Sequence, residues 1–332
     1  MVTAFNPLRE QLVDRRHRLG VAVRLAPEAQ LARLLQEVDM ALGRMDEGTY
    51  GLCDVCHDPV ETERLIADPL TRLCLDHLSA TEQRALEDDL ALAVSIQREL
   101  LPQTDYRAQG WEIAYHYQPA GLVSGDYCDL IEGEKGDLYF IVGDVSGKGV
   151  AASMLMGHLH AMFRTLVSVN LPLDKMVERA SRVFCESTLP THYATLVCGR
   201  AEESGMVEIC NAGHLPPLFV HGDCVTKIGA TGLPLGIFSS EEFSLSRFQM
   251  QAGDNLLLYS DGLTEACDGA SNEYGSDRLG TLLRETNNQA PLRLIENCVR
   301  DLNSFSAGGA QADDLTIMAI QRADPVTQAV SL

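Results

Sequence analysis

The chain predicts an α+β fold in which antiparallel β-sheets are flanked by helices, and three observations carry that expectation. Strand-length apolar runs follow one another at 192–199, 205–211, 216–220, 244–250 and 254–260 with no helical stretch between them. Helical stretches come in pairs, near 150–169 with 173–187 and near 276–286 with 291–304, before a last strand at 314–321. Runs of strands and paired helices, rather than strict strand–helix alternation, favour antiparallel sheets with helices against them. Ahead of this region lies a helical stretch with clustered cysteines, which reads as a separate small module.

In chain order, residues 5–25 are Arg-rich and helical with weak periodicity. Pro27 suits the first turn of a helix. Leu31, Leu34, Leu35, Val38, Leu42 and Met45 recur at three- and four-residue spacing, so 28–46 is an amphipathic helix that Gly48 stops. Cys53-Asp-Val-Cys56 and Cys74-Leu-Asp-His77 then supply two pairs of soft ligands, each able to grip one side of a tetrahedral Zn²⁺. His57 is poorly placed to share that ion because it adjoins Cys56. Ser79 with Glu82 fits a capping box that starts a helix over Thr81–Leu101, and Pro102 ends it. Leu86, Leu90, Ala93, Gln97 and Leu100 form one seam of this helix, expected to meet a second copy of the chain with Gln97 fixing the register. Leu92, Val94, Ile96 and Leu101 make the helix apolar on further faces. Trp111, Ile113, Tyr115 and Tyr117 alternate as a strand. Residues 323–332 read as a loose tail.

The chemistry gathers on aspartates at strand ends. Asp137–Val142 is an apolar run that delivers Asp144 to the turn Ser146-Gly-Lys-Gly149, with a long helix after it. Asp126 and Asp129 lie between two strand-like runs, Asp261 ends a third and Asp313-Asp314 opens a fourth. Carboxylates clustered without a cation repel one another, and hard oxygen ligands favour Mg²⁺ or Mn²⁺. Read alone, any one of these aspartates is also a turn or cap residue. A nucleotide P-loop is excluded, since Lys148 is followed by Gly149 and position 142 is Val. No Cys-x5-Arg follows any of the ten cysteines and no Gly-x-Ser-x-Gly elbow occurs. His214, in a turn before Pro-Pro, is a candidate general acid or a structural residue; Lys148 is a candidate phosphate contact or a solvated loop residue.

Composition bounds the reading. The net charge of −21 disfavours nucleic acid and anionic membranes as partners. The N-terminal segment MVTAFNPLREQLVDRRHR has no apolar core of a signal peptide, and no run approaches membrane-spanning length. Ten cysteines without such a signal point to the reducing cytoplasm.

GDYCDL, VGDVSGKGVAASMLM, NAGHLPPL, GLPLGI, LYSDGLTEA and DDLTIMAI follow one another in the order found in SpoIIE-type phosphatases, the bacterial branch of the metal-dependent Ser/Thr protein phosphatases (the PPM superfamily), which the chain resembles over 106–322. The resemblance implies two packed antiparallel sheets with helices outside, and a protein Ser/Thr phosphatase that uses water activated by two Mn²⁺ or Mg²⁺ ions. It implies Asp126, Asp144, Asp261 and Asp313 as the catalytic carboxylates and metal ligands, with the Val145 carbonyl as a further ligand and Asp129 and Asp314 as alternates. It also implies a phosphorylated STAS-type anti-anti-sigma factor as substrate, in a bacterial partner-switching pathway. The segment holding GTYGLCDVC, ERLIADP and CLDH resembles the DksA/TraR-type zinc finger, with His77 where that family has Cys and His57 where it has Gly. RNA polymerase binding is not carried over, because the turn Leu25-Ala-Pro-Glu28 is not an acidic tip. The expected organisation is a zinc-finger module at 1–78, a linker helix at 79–105, a phosphatase domain at 106–322 and a tail at 323–332. The expected partners are a phosphoprotein and a second copy of the chain, met through 81–101. The competing reading is a non-catalytic signalling adaptor.

Overall fold

The computed structural model describes residues 6–25, 29–78, 80–134, 136–239, 241–286, 288–306 and 311–323. Pro27, the Ser79 end of the expected capping box and positions 324–332 of the expected tail lie outside the described residues. The chain divides into two compact units, Met1–Asp89 and Leu90–Leu332.

In the first unit α1 (Asn6–Leu25) and α2 (Ala29–Glu47) pack together, tied by Arg9–Asp46 at 2.8 Å and Arg16–Asp39 at 3.9 Å. The periodicity of α2 buries Val38 and Leu42 as expected, and Leu12 of α1 joins them. The short helix α3 (Thr62–Ala67) adds Leu65, and a 3₁₀ turn at Leu75–His77 closes the cysteine-bearing segment. A core this small leaves a module short of burial, the usual circumstance for a metal cross-link.

In the second unit all named strand pairs are antiparallel. One sheet holds β1 (Asp105–Ala108), β2 (Trp111–Gln118), β7 (Leu218–His221), β8 (Cys224–Lys227), β10 (Asn255–Tyr259) and β11 (Leu315–Arg322), in the order β1-β2-β11-β10-β7-β8. The other holds β3 (Tyr127–Glu132), β4 (Leu138–Val145), β5 (Ala194–Ala201), β6 (Met206–Ala212) and β9 (Ser246–Gln249), in the order β3-β4-β5-β6-β9.

Strand alternation explains the layers. Leu138, Phe140 and Val142 of β4 meet Leu256 and Leu258 of β10 and Met318 and Ile320 of β11 between the sheets. The alternate residues, Tyr139 and Ile141, pack under α5 (Gly149–Ser168) and α6 (Leu173–Ser187). On the far side Leu257, Ile317 and Ala319 pack under α8 (Ser276–Glu285) and α9 (Pro291–Phe305). The result is helices, sheet, sheet, helices. Among the elements that escaped sequence reading, β1 and β8 are short edge strands with mostly exposed side chains, so no apolar pattern marks them, and β3 begins within the stretch expected to lie between strands.

α4 (Ala80–Leu100) covers the helix expected over Thr81–Leu101, but its seam is used differently. Gln97 is 5% exposed and bonds within its own unit, to Ser124 and Ser153. Leu100 packs beside Gly157 and the core under α5. Gln97 and Leu100 of the expected dimer seam therefore pack within the second unit, whereas Leu86 is 41% exposed, and Leu92 and Ile96, 60% and 54% exposed, form the outward apolar row. Periodicity shows that a helix has several apolar faces but not which one its own domain takes.

Gly199 on β5 makes room for the ring of Phe140, its cross-strand partner on β4. A Cβ there would lie 2.0 Å from Phe140 Cζ, a ring with no free space to enter. Gly199→Ala is expected to cost about 1–3 kcal/mol through overpacking, read as a lowered urea midpoint with an unchanged slope.

Candidate active site

The aspartates converge because antiparallel pairing brings distant strand ends to one edge. Tyr127 at the start of β3 pairs with Gly143 near the end of β4, and Tyr259 at the end of β10 pairs with Ile317 near the start of β11. Even-numbered positions of β4, β10 and β11 face between the sheets, so Asp144, Ser260 and Thr316 end that layer. The turn after Asp144 has φ of 105° at Gly147 and 71° at Gly149, conformations that favour glycine. Lys148 is the N-cap of α5, so Asp144 is not a helix cap.

Asp126 is 1% exposed, and its Oδ2 accepts a 2.5 Å hydrogen bond from Thr316 Oγ1. Burial pushes its pKa well above the usual carboxylate range, and the Asp144 charge adds to the effect. Asp144 is raised to about 7, first by burial and then by Asp261, Asp313 and Asp314. Asp261, the first residue of the short helix α7 (Asp261–Thr264), is raised by burial and by Asp313. Asp313 Oδ2 accepts from Lys148 Nζ at 2.9 Å. Asp126, Asp144 and Asp261 thus each lie close enough to another of the four expected carboxylates for its charge to oppose their ionisation. The Val145 carbonyl joins them: a Cβ on Gly125 would lie 3.1 Å from Val145 O and 3.5 Å from Asp144 Oδ1, so both oxygens flank the same small space.

The two alternates are occupied elsewhere. Asp129 is fully buried and takes two bonds from Arg164, at 2.7 and 3.1 Å, on the face under α5. Asp314 accepts the backbone N–H of Ala120 at 2.7 Å and of Gly125 at 3.0 Å. His214 is also accounted for. Its ring pairs with Thr195 Oγ1 at 2.9 Å and the Tyr259 carbonyl at 3.1 Å, and burial lowers its pKa to about 4. It is a neutral brace of the strand that leads to Asp261. Sequence reading missed Thr316, Ser260 and Ser124 as its supports, because hydroxyls in strands and turns carry no motif of their own. Ser260 Oγ accepts from Thr316 N–H at 2.9 Å, and Ser124 Oγ accepts from Asp126 N–H at 3.0 Å.

In the other unit Cys53, Cys56, Cys74 and His77 bring their ligand atoms within 4.8 Å of one another, the one such group among the described residues. Cys56 Sγ and Cys74 Sγ are 3.7 Å apart, and Cys74 Sγ is 3.2 Å from His77 Nδ1. Tetrahedral Zn²⁺ with Zn–S near 2.3 Å needs sulfurs roughly 3.8 Å apart. His57 has φ of 62° and stands outside the group.

The raised pKa of Asp144 makes a signed prediction. With no divalent ion added, the folded state holds the Asp144 proton more tightly than the unfolded chain, so stability falls as pH rises from about 4 to about 7. Asp144→Asn is expected to raise unfolding free energy at pH 8, by up to a few kcal/mol, and to leave it nearly unchanged at pH 4. Urea titrations at the two pH values measure this.

Comparison with known proteins agrees with this geometry. The model of the stage II sporulation protein E (SpoIIE) family matches residues 134–323, and that of the prokaryotic dksA/traR C4-type zinc finger matches residues 48–76, ending one residue before His77. Protein IcfG of Synechocystis is 26% identical over 68% of this chain, which spans 40% of that relative's length. Phosphoserine phosphatase RsbU of Bacillus subtilis is 22% identical over 72% of each chain. The SiaA-PP2C domain of Pseudomonas aeruginosa superposes with a TM-score of 0.63 at 19% identity, over 74% of this chain and all of that one. Since the SpoIIE model spans more than half of its residues, the chain belongs to the stage II sporulation protein E family.

Proposed function

We propose that this chain is a metal-dependent protein serine/threonine phosphatase whose catalytic site is Asp126, Asp144, Asp261 and Asp313. The single observation that carries the reading is the convergence of these carboxylates, from four separate strand ends, where the charge of Asp144 opposes ionisation of Asp126 and those of Asp261 and Asp313 oppose ionisation of Asp144. The donors fit two hard divalent cations: oxygen ligands, buried negative charge in excess, and Lys148 as the cation facing Asp313. Asp144 would hold the ions together with Asp126, Asp261 and Asp313, with the Val145 carbonyl as a further ligand. Bound there, Mn²⁺ or Mg²⁺ supplies Lewis acidity and lowers the pKa of water, the chemistry that phosphoester hydrolysis needs. The chain's own residues position the reaction. Thr316 and Ser124 hold Asp126 and its turn. Lys148, 70% exposed, stands where a phosphate dianion would approach. His214 is neutral and bonded on both ring nitrogens, so the proton for the leaving hydroxyl comes from solvent.

The substrate class follows from the relatives, one of which is named a phosphoserine phosphatase. On this reading the protein removes phosphate from serine or threonine of a STAS-type anti-anti-sigma factor in a cytoplasmic partner-switching pathway. No helix among the described residues is long and apolar enough to cross a membrane. Cys53, Cys56, Cys74 and His77 hold one structural Zn²⁺. A homodimer would form through the outward Leu92–Ile96 row of α4 rather than the seam that contains Gln97.

Two measurements test the reading. Hydrolysis of p-nitrophenyl phosphate should require added Mn²⁺ or Mg²⁺, and Asp144→Asn should lose it by orders of magnitude while remaining folded. Near wild-type Mn²⁺-dependent turnover in that variant would sink the assignment, and absence of turnover in the wild type with either ion would favour the adaptor. Elemental analysis of the full chain should give about one zinc per molecule, lost in Cys53→Ser with Cys74→Ser; unchanged zinc content would refute the site.

A further inference from the structure

We infer that Gln97 is a positioning residue for the carboxylate cluster: its side-chain amide clamps the turn Ser124-Gly125-Asp126 in the conformation that presents Asp126. The inference rests on the reading of these carboxylates as the metal site.

The turn needs such a clamp because it has no strand neighbour. Ladder pairing of β3 starts only at Tyr127, which pairs with Gly143. The Gln97 amide supplies what a neighbouring strand would. Ser124 N–H donates to Gln97 Oε1 at 3.0 Å, and Gln97 Nε2 donates to the Ser124 carbonyl at 2.8 Å. A donor and an acceptor on one planar amide thus meet both polar groups of one backbone residue, as a peptide unit does in a ladder. The second Nε2 proton reaches Ser153 Oγ on α5 at 3.1 Å. Gln97 is 5% exposed and Ser124 1%, so each unmade bond here leaves a buried polar group without water.

From Ser124 the constraint passes directly to the site. Asp126 N–H donates to Ser124 Oγ at 3.0 Å, Gly125 N–H donates to Asp314 Oδ2 at 3.0 Å, and Tyr117 OH donates to the Asp126 carbonyl at 3.1 Å. Gly125 has no slack, since a Cβ on it would sit 3.1 Å from Val145 O and 3.2 Å from Ala152 Cβ. The turn is therefore held at Ser124 N and O, Gly125 N and Asp126 N, and α4 supplies the first two of those bonds. Glutamine is specified by both length and chemistry. Glutamate keeps the acceptor but, ionised, donates nothing and brings a buried charge toward Asp126. Methionine keeps the length and loses every bond.

Full-length Gln97→Met and Gln97→Glu, beside wild type and Asp144→Asn, test the clamp by two independent readouts. The first is hydrogen exchange of the 120–127 segment with no divalent ion added. The second is Mn²⁺ affinity, titrated by electron paramagnetic resonance. Exchange across 124–127 should quicken about tenfold or more in Gln97→Met while β11 and α9 keep wild-type protection. Mn²⁺ affinity should weaken about tenfold or more in both variants, the scale seen when groups that orient metal ligands are removed. A loss of melting temperature with exchange and Mn²⁺ affinity both within about twofold of wild type would mean an ordinary packing residue, and would overturn the inference. If wild type binds no Mn²⁺ at the Asp144 site, the metal reading fails and the inferred effect on ion affinity fails with it. Exchange at 124–127 then still decides whether Gln97 holds the turn.

Discussion

Mutual repulsion among the gathered carboxylates is the constraint on which the rest of the second unit depends. Asp126, Asp144, Asp261 and Asp313 come from four strand ends, and ionising Asp126, Asp144 and Asp261 is opposed first by burial and then by neighbouring carboxylates. Only a rigid frame keeps such groups together. The frame is the two-sheet core, in which Phe140 fills the space left by Gly199 and the alternate residues of β4 lie under α5 and α6. A slip of one residue in the β4–β5 register would move Asp144 from the inter-sheet edge to the helix-covered face. The apolar pattern that holds the core therefore also aims the carboxylate.

Around this charge the protein places neutral partners rather than cations. Thr316, Ser260, Ser124, Gln97 and His214 are uncharged as positioned, and each is buried. They hold the turns without cancelling the negative potential, which a bound divalent cation would need. Lys148 is the exception. It lies at the exposed edge, where a Lys ammonium can exchange one anion for another at low cost. Arg164 pairs with Asp129, on the face of the sheet under α5.

The N-terminal unit solves a different problem. Its core consists of a few residues of α1, α2 and the cysteine-bearing segment, with Cys53 and Cys74 themselves buried in it. A metal cross-link at these residues would tie two turns that have little other burial. The helical hairpin is further stitched by ion pairs along its exposed side, which contribute little each.

Much of this was legible in the sequence, and the reasons are local. The period of α2, the glycines of Ser146–Gly149, the Cys-x-x-Cys and Cys-x-x-His pairs and the aspartates after apolar runs are all patterns within a few residues, where covalent geometry and side-chain chemistry act directly. Those patterns determined the helices, the central strands, the carboxylate set and the separate cysteine cluster. Tertiary structure alone decided how two adjacent aspartates divide their roles, because Asp314 is occupied by the N–H groups of Ala120 and Gly125, far away in sequence, while Asp313 faces Lys148. It also decided that His214 is a brace, since the desolvation that lowers its pKa comes from packing and not from its neighbours in the chain. It assigned Gln97 to the catalytic unit instead of a second copy, because a helix with several apolar faces carries no local signal of which face its own domain will cover.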